Sequence, residues 1–319
     1  ILTDGNDSFT GTDGSELIAT RDGDDTVNGG AGNDKLIGGK GIDTLSGGDG
    51  VDHLYGLASN DILNGNGGND YIVAGLGDDT ISGGEGDDSI LAQTGNDLIS
   101  SGPGTDVINA GLGNDRITID GIGNKDVNGG SGTDTLIINY DGITSLSSFA
   151  SISYDTDTST VTFTDSSGGT IATQAVENFT VGGVTYSFVY NGYDSRTGKQ
   201  VNTGASSDIS NGENNRISHA FISSDGTEVV LYTPSSGVTN FTIPSMSAFQ
   251  DTDTWLDSTL TITGSSAADM ISDRGGMGVS GSLGVLTVNA GAGDDQVKIA
   301  SLRFNQDVIN LGAGDDIVY

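Results

Sequence analysis

Gly29-Gly30-Ala31-Gly32-Asn33-Asp34-Lys35-Leu36-Ile37 runs directly into Gly38-Gly39-Lys40-Gly41-Ile42-Asp43-Thr44-Leu45-Ser46 and then Gly47-Gly48-Asp49-Gly50-Val51-Asp52-His53-Leu54-Tyr55. The shared pattern is G-G-x-G-x-D-x-U-x, with U a large aliphatic residue. A fixed period of this kind signals a repeat architecture and decides the fold before any local propensity does. Outward in both directions the acid at position six recurs as Asp7, Glu16, Asp25, Asp34, Asp43, Asp52, Asp61, Asp70, Asp79, Asp88, Asp97, Asp106 and Asp115. Position eight follows as Phe9, Ile18, Val27, Leu36, Leu45, Leu54, Leu63, Ile72, Ile81, Ile90, Ile99, Ile108 and Ile117. Thirteen nonads from Leu2 to Thr118 thus keep one phase. A ten-residue step then puts Lys125 at position six, and Asp134 and Leu136 resume the pattern.

The nonad has a direct physical interpretation. Glycine at positions one, two and four lets a six-residue segment turn through positive φ at low steric cost. The remaining x-U-x alternates polar, apolar, polar, as a short half-buried strand does. Two nonads make a flattened coil of eighteen residues with turns on opposite edges. Stacked coils pair their strands in parallel and align the aliphatic residues as a core. That core is thin, with one aliphatic side chain per nine ordered residues, so something in the turns must add stability.

Composition points to what that is. The 319 residues include 53 Gly and only 34% hydrophobic residues, and 44 Asp+Glu against 11 Lys+Arg give a net charge of −33. Such a chain repels nucleic acid and anionic membrane surfaces and attracts cations. Without cysteine it has neither disulfides nor thiolate metal sites. No run has the length of a membrane-spanning helix. Calcium takes six to eight oxygen ligands and mixes carboxylates with backbone carbonyls. Position six offers the carboxylate, and the glycine turns offer carbonyls, among them Gly30 and Gly32, Gly39 and Gly41, Gly48 and Gly50, Gly75 and Gly77, and Gly84 and Gly86. Turns on one edge come from alternate nonads. One edge carries Asp7, Asp25, Asp43, Asp61, Asp79, Asp97 and Asp115, and the other Glu16, Asp34, Asp52, Asp70, Asp88 and Asp106.

The nonads resemble the RTX (repeats-in-toxin) family of calcium-binding repeats, strongly over residues 1–137 and weakly in parts of 264–319. The resemblance implies an all-β fold, a parallel β-roll or right-handed β-solenoid. It also implies ions between successive turns of one edge, each shared by two aspartates, and on the order of ten Ca2+ in all. Some sites depart from the pattern. Glu16 is longer than Asp, and Ser59 replaces the position-four glycine beside Asp61. Lys125 either ends the metal ladder or belongs to a looped-out insertion in which Asp126 takes its place. His53, at position seven with Lys35 and Thr44 as equivalents, reads as an exposed strand residue and not a ligand.

From Ile138 the character changes. Of 19 aromatic residues, 14 lie between Tyr140 and Trp255, with alternation in segments such as Thr160–Thr164, Val184–Tyr190 and Glu228–Tyr232. Residues 138–263 read as an all-β domain, a sandwich or a wider solenoid, with a short helix near Ser145–Ala150. Degenerate repeats return over 264–319 and put Asp269, Asp295 and Asp316 at position six. Asp295 and Asp316 join the candidate metal ligands with Asp134.

The first and last residues fall inside repeats. We therefore expect either a longer natural protein or capping by a neighbouring copy. No cysteine nucleophile, H-E-x-x-H or G-x-S-x-G is present, and no Gly-rich run ends in G-K-[ST]. The expectation is a calcium-binding structural or interaction module on a bacterial surface, of surface-layer or adhesin type and without catalysis. Its partners would be calcium, copies of itself or other cell-surface components. The alternative is an export and folding module of a secreted RTX enzyme or toxin whose catalytic part lies outside this chain.

Overall fold

A computed structural model of the chain describes residues 2–155, 158–190, 193–194, 199–200, 219–223, 228–232, 241–243, 259–263, 270–273, 285–289, 296–298, 308–312, 314 and 317–318. The chain divides into two compact units, Ile1–Gly183 and Val184–Tyr319.

The first unit is a parallel β-solenoid of about seven turns. Strands recur with the nonad: Leu17–Asp22, Thr26–Ala31, Lys35–Lys40, Thr44–Asp49, His53–Ala58 and onward to Thr135–Ile138. Each pairs with the strand two nonads away. Leu36 lies beside Leu54, Leu54 beside Ile72, and on the other sheet Val27 beside Leu45 and Leu45 beside Leu63. Alternate strands therefore form two separate sheets, as the eighteen-residue coil requires. The position-eight residues from Ile18 to Leu136 are all buried.

The strands are longer than x-U-x. A typical one spans six residues, positions seven to nine plus one to three of the next nonad. Pairing persists through the positive-φ residue at position two, with Gly39 opposite Leu57. The reason is repetition: when each turn kinks at the same place, neighbouring backbones stay in register through the kink. Position one thereby becomes a second inward site, filled by Ala74, Ala92, Ala110, Thr20 and Ser101 where it is not glycine. The core is thus somewhat fuller than one side chain per nonad.

The parallel ladders continue past the nonads. Lys125–Ser131 pairs with Thr170–Gln174, and Thr135–Ile138 with Asn178–Val181. Between them, Ser151–Asp155 and Thr160–Thr164 add antiparallel strands beside Thr170–Gln174. The expected short helix is a single 3-10 turn at Leu146–Ser148. Phe163 and Phe179 are fully buried, and their rings lie 5.4 Å apart, with Phe149 5.0 Å from Phe163. Phe179 pairs with Leu136, so aromatic rings succeed the aliphatic column at this end.

In the second unit, Val184–Tyr190, His219–Ser223 and Glu228–Tyr232 pair antiparallel. Parallel pairing then sets in, Glu228 with Thr259, Thr259 with Val285 and Thr287 with Val308. The offsets between partners are 31, 26 and 21 residues. A second parallel set joins Phe241–Ile243, Met270–Asp273, Gln296–Lys298 and Ile317–Val318. The described strands from Glu228 onward thus stack in parallel, with offsets between partners that shorten toward the length of two nonads.

Candidate metal centre

The position-six acids stack as two ladders, one on each edge. The Asp34 N–H donates to Asp52 Oδ1 at 2.7 Å, the Asp52 N–H to Asp70 Oδ1 at 2.8 Å, and the Asp70 N–H to Asp88 Oδ1 at 2.9 Å. On the other edge Asp25, Asp43, Asp61, Asp79, Asp97, Asp115 and Asp134 are linked the same way at 2.7–3.0 Å. One carboxylate oxygen of each aspartate is thus spent on the preceding turn.

The second oxygen is spent on nothing. Oδ2 of Asp25, Asp43, Asp61, Asp79, Asp97, Asp115 and Asp134 is buried without a hydrogen-bond partner, and so is Oδ2 of Asp34, Asp52, Asp70 and Asp88. A buried polar atom without a partner is costly, and a buried charge without one far more so. The carboxyls respond accordingly. Burial, with the neighbouring aspartate adding like charge, pushes Asp43, Asp70 and Asp134 up to about 6 and Asp61, Asp79, Asp88 and Asp97 up to about 7. Asp34, Asp52, Asp106 and Asp115 are raised as well, burial again first. Ionising such a column together is costly, and a cation placed within it relieves that cost.

The turns supply the remaining oxygens. At Gly48 φ is +114°, and at Gly50 it is +138°. A methyl group on Gly48 would overlap the Gly30 carbonyl oxygen, and one on Gly50 would overlap that of Gly32. The carbonyls at positions two and four therefore point along the stack at the next turn, and only hydrogen stands in their way. The same arrangement holds for the predicted carbonyl donors Gly32, Gly50, Gly77, Gly84 and Gly86, which face Gly50, Gly68, Gly95, Gly102 and Gly104. Non-glycine residues adopt the same turn geometry where they must: Arg21, Leu57, Ser59, Asn66 and Gln93 all have positive φ. Ser59 accordingly keeps its turn intact beside Asp61.

A cation already sits in one such cradle. Nζ of Lys125 lies 2.8 Å from the Gly102 carbonyl oxygen, 2.6 Å from that of Gly104 and 2.6 Å from Asp106 Oδ2. These are positions two, four and six of a single nonad. Lys125 and Asp106 are both fully buried. Lys125 pairs with Asp106 in register, while Asp126 pairs with Val107 and is exposed. Of the two readings open in the sequence, the structure thus has Lys125 ending the ladder, and Asp126 does not replace it.

Among the described residues no three His, Cys, Asp or Glu side chains converge on a point. A metal here must draw on backbone carbonyls, which suits a hard cation with oxygen ligands and disfavours zinc or copper. The unpartnered Oδ2 atoms, the carbonyls aimed along the stack and the ammonium in one cradle all fit calcium. The residues that would hold it in each turn are the aspartate at position six and the carbonyls at positions two and four.

Toward the N-terminal end the sites are spoken for differently. Asp7 Oδ2 accepts from the Thr3 N–H and hydroxyl at 2.7 and 2.9 Å. The Glu16 carboxylate folds back onto Thr12, whose hydroxyl holds its pKa below the usual range. His53 is exposed, its ring 5.6 Å from that of Tyr71. Asp269, Asp295 and Asp316 lie outside the described residues.

Two features were not read from the sequence. Position five carries a second ladder running the other way. The Val51 N–H donates to Asn33 Oδ1 at 3.0 Å, the Asp87 N–H to Asn69 Oδ1 at 2.9 Å and the Asn114 N–H to Asn96 Oδ1 at 2.9 Å. The recurrence of Asn and Asp just before position six was the available signal. The other is Glu177, whose Oε2 accepts from the Asp134 N–H at 2.8 Å. Its signal was Glu177-Asn178-Phe179-Thr180, an acid followed by polar-apolar-polar, far from any glycine pair.

A family model described as RTX calcium-binding nonapeptide repeat (4 copies) matches residues 10–45, 46–81, 82–117 and 306–319. These segments are RTX calcium-binding repeats. Comparison with curated protein sequences gives no match. Repeats of this family imply a calcium-binding module of a secreted protein. Asp316 falls within a matched segment, whereas Asp7, Asp134, Asp295 and Glu177 fall outside all four. No helix among the described residues is long and apolar enough to cross a membrane.

Proposed function

We propose that this chain is a structural and interaction module of a bacterial surface protein, of surface-layer or adhesin type, that folds and stiffens on extracellular calcium. The observation that carries the proposal is the column of buried, unpartnered Oδ2 atoms on each edge of the roll. The aspartates named above, from Asp25 to Asp134, serve as its ligands with the position-two and position-four carbonyls. Residues 138–263 provide the contact surface, and the module itself performs no catalysis.

The operation follows from linkage. Ions that bind only the folded state stabilise it by mass action. Where calcium is scarce, net charge −33 keeps the chain expanded by self-repulsion, a state suited to threading through a secretion channel. At calcium of about 10⁻⁴–10⁻³ M, typical for extracellular modules, the roll closes and its charge is largely neutralised.

The test is calcium addition to the purified chain, followed by circular dichroism and electron microscopy. Strand signal should rise with calcium and vanish on chelation, and sheets or fibres should form in calcium. A strand signal indifferent to exhaustive chelation at low ionic strength would overturn calcium-driven folding. Calcium-dependent folding to dispersed monomers would instead assign the chain to the export and folding role beside an enzyme or toxin.

A further inference from the structure

Both ladders must end, and they end differently. On the edge of Asp106 the next position-six residue is Lys125. Its ammonium takes the carbonyls of positions two and four and the position-six carboxylate oxygen of the preceding turn. Having no acceptor, Lys125 cannot receive the Asp106 N–H, which donates to the Asn124 carbonyl at 2.9 Å instead. Every polar group that the missing aspartate would have served is thereby satisfied. The positive charge is fixed, and it neutralises the one buried carboxylate in that cradle.

On the edge of Asp134 no cation is built in. The next strand arrives from far along the chain, and Glu177 takes the position-six role. The Asn178 N–H donates to the Asp134 carbonyl at 3.0 Å, as the His53 N–H does to that of Asp34 at 2.8 Å. The Asp134 N–H donates to the Glu177 carboxylate, as the Asp34 N–H does to Asp52. Asp134 is fully buried, and its Oδ2 has no partner. Gly130 and Gly132 occupy positions two and four with φ +99° and +147°, the conformation of the other cradles. The side chains and turn needed for one more ion are present, with glutamate in place of aspartate.

We propose that the edge of Asp134 carries one calcium site beyond the nonads, held by Asp134, the Gly130 and Gly132 carbonyls and Glu177, whereas the edge of Asp106 ends one ion earlier because the Lys125 ammonium fills its last cradle. The two edges of the roll therefore bind unequal numbers of ions. This rests on the calcium ladder proposed above and adds to it where the ladder stops.

The experiment counts calcium bound per chain at saturation, by equilibrium dialysis of the full chain, with circular dichroism to verify folding. Glu177→Gln keeps an acceptor for the Asp134 N–H and should bind one ion fewer than the parent. Lys125→Asp should bind one ion more. Should Lys125→Asp not fold, Lys125→Ala opens the same cradle and should also gain one ion, at lower affinity. Parental counts in folded Glu177→Gln and in a folded Lys125 variant overturn the proposal, and a change at one position alone overturns the half that the other tests. A parent chain that binds no calcium refutes the ladder itself, a failure distinct from either.

Discussion

Replacing Asp79 by asparagine separates the two duties of a ladder aspartate. Asp79 Oδ1 accepts from the Asp61 N–H at 2.7 Å, and its own N–H donates to Asp97 Oδ1 at 2.8 Å. Asparagine is isosteric and preserves both bonds through its amide oxygen and backbone. What changes is Oδ2, which is buried and unpartnered in the parent and becomes an NH2 facing the carbonyl side of the turn. Two opposite consequences follow. Without calcium, Asp79→Asn removes a buried charge whose pKa is pushed up to about 7 by burial. Raising a carboxyl from its ordinary value to about 7 corresponds at most to about 4 kcal/mol. Solvent screening at the turn edge lowers the expected gain at pH 8 to on the order of 1–2 kcal/mol. With calcium, the variant loses an anionic ligand placed at the junction of the sites above and below it. Contacts to charged groups contribute about 1.5–3 kcal/mol each, so the adjoining site or sites should weaken by roughly ten- to a hundredfold.

The assay is urea denaturation followed by circular dichroism, once in chelator and once in millimolar calcium. The variant should be the more resistant of the two in chelator and the less resistant in calcium. If both conditions weaken it, Oδ2 has a partner in the metal-free fold and the buried-charge account is wrong. If neither condition changes, Oδ2 is not a ligand. Where the metal-free chains are unfolded at pH 8, the same comparison is made at the pH where the parent first gains strand signal.

The metal-free roll should respond to pH in a direction opposite to ordinary acid denaturation. Asp43, Asp70 and Asp134 near 6 and Asp61, Asp79, Asp88 and Asp97 near 7 lie above their unfolded values. Their contribution is complete below the unfolded carboxylate range and is lost as pH rises through 6 to 7. Strand signal in chelator should therefore increase between pH 8 and pH 5, and a decrease would refute the assignment. Protons and calcium compete for the same oxygens, so the calcium midpoint should move to higher concentration over the same fall in pH. Gly48→Ala puts a methyl group onto the Gly30 carbonyl at φ +114°. It should cost more than the roughly 1–2 kcal/mol of a left-handed alanine and raise the calcium midpoint, whereas Ser59→Gly should stabilise the roll slightly. Asp52→Ala should weaken calcium binding on its own edge, next to Asp34 and Asp70, more than on the edge of Asp43 and Asp61. Amide-resolved calcium titration by NMR distinguishes the edges, and equal loss on both would contradict the eighteen-residue coil.

The coil period, the two edges and the stacking of the position-six acids were legible because each is a property of the repeat, and a repeat multiplies weak local preferences into one consistent answer. Strand length was not. Glycine pairs read as turn, and it is the identical kink of each neighbour, Gly39 against Leu57, that carries pairing through them. The position-five ladder was hidden by degeneracy, since Asn33, Asp24, Asn69 and Ser15 all accept a hydrogen bond but share no single residue type. Lys125 was visible as an anomaly with two meanings. Only burial of its ammonium against Asp106 chose between them, and a sequence does not show burial of a single charge. Glu177 escaped because its partner lies 43 residues earlier, across an antiparallel excursion that resets the count. Among the described strands beyond residue 183 the offset between parallel partners changes from step to step, so no single period links them.

The two oxygens of each aspartate serve different turns, and in the proposed ladder this makes calcium binding a property of the column and not of single sites. Oδ1 of Asp52 fastens the Asp34 backbone, while Oδ2 remains for the metal, so filling one site orders the carboxylate that belongs to the next. Such nearest-neighbour coupling is the defining energetics of solenoids, and here its sign depends on the ion. Without calcium, each added turn stacks a further buried carboxylate on the last, and coupling opposes growth of the roll. With calcium, the same geometry shares each carboxylate between turns, and coupling favours growth. Lys125 is the exception that clarifies the rule. Its ammonium supplies at one step, by covalent linkage, what every other step must take from solution. On the edge of Asp106 the turn capped by Lys125 is therefore the least dependent on calcium, and the turns of Asp61, Asp79, Asp88 and Asp97, whose carboxyls burial pushes up to about 7, depend on it most.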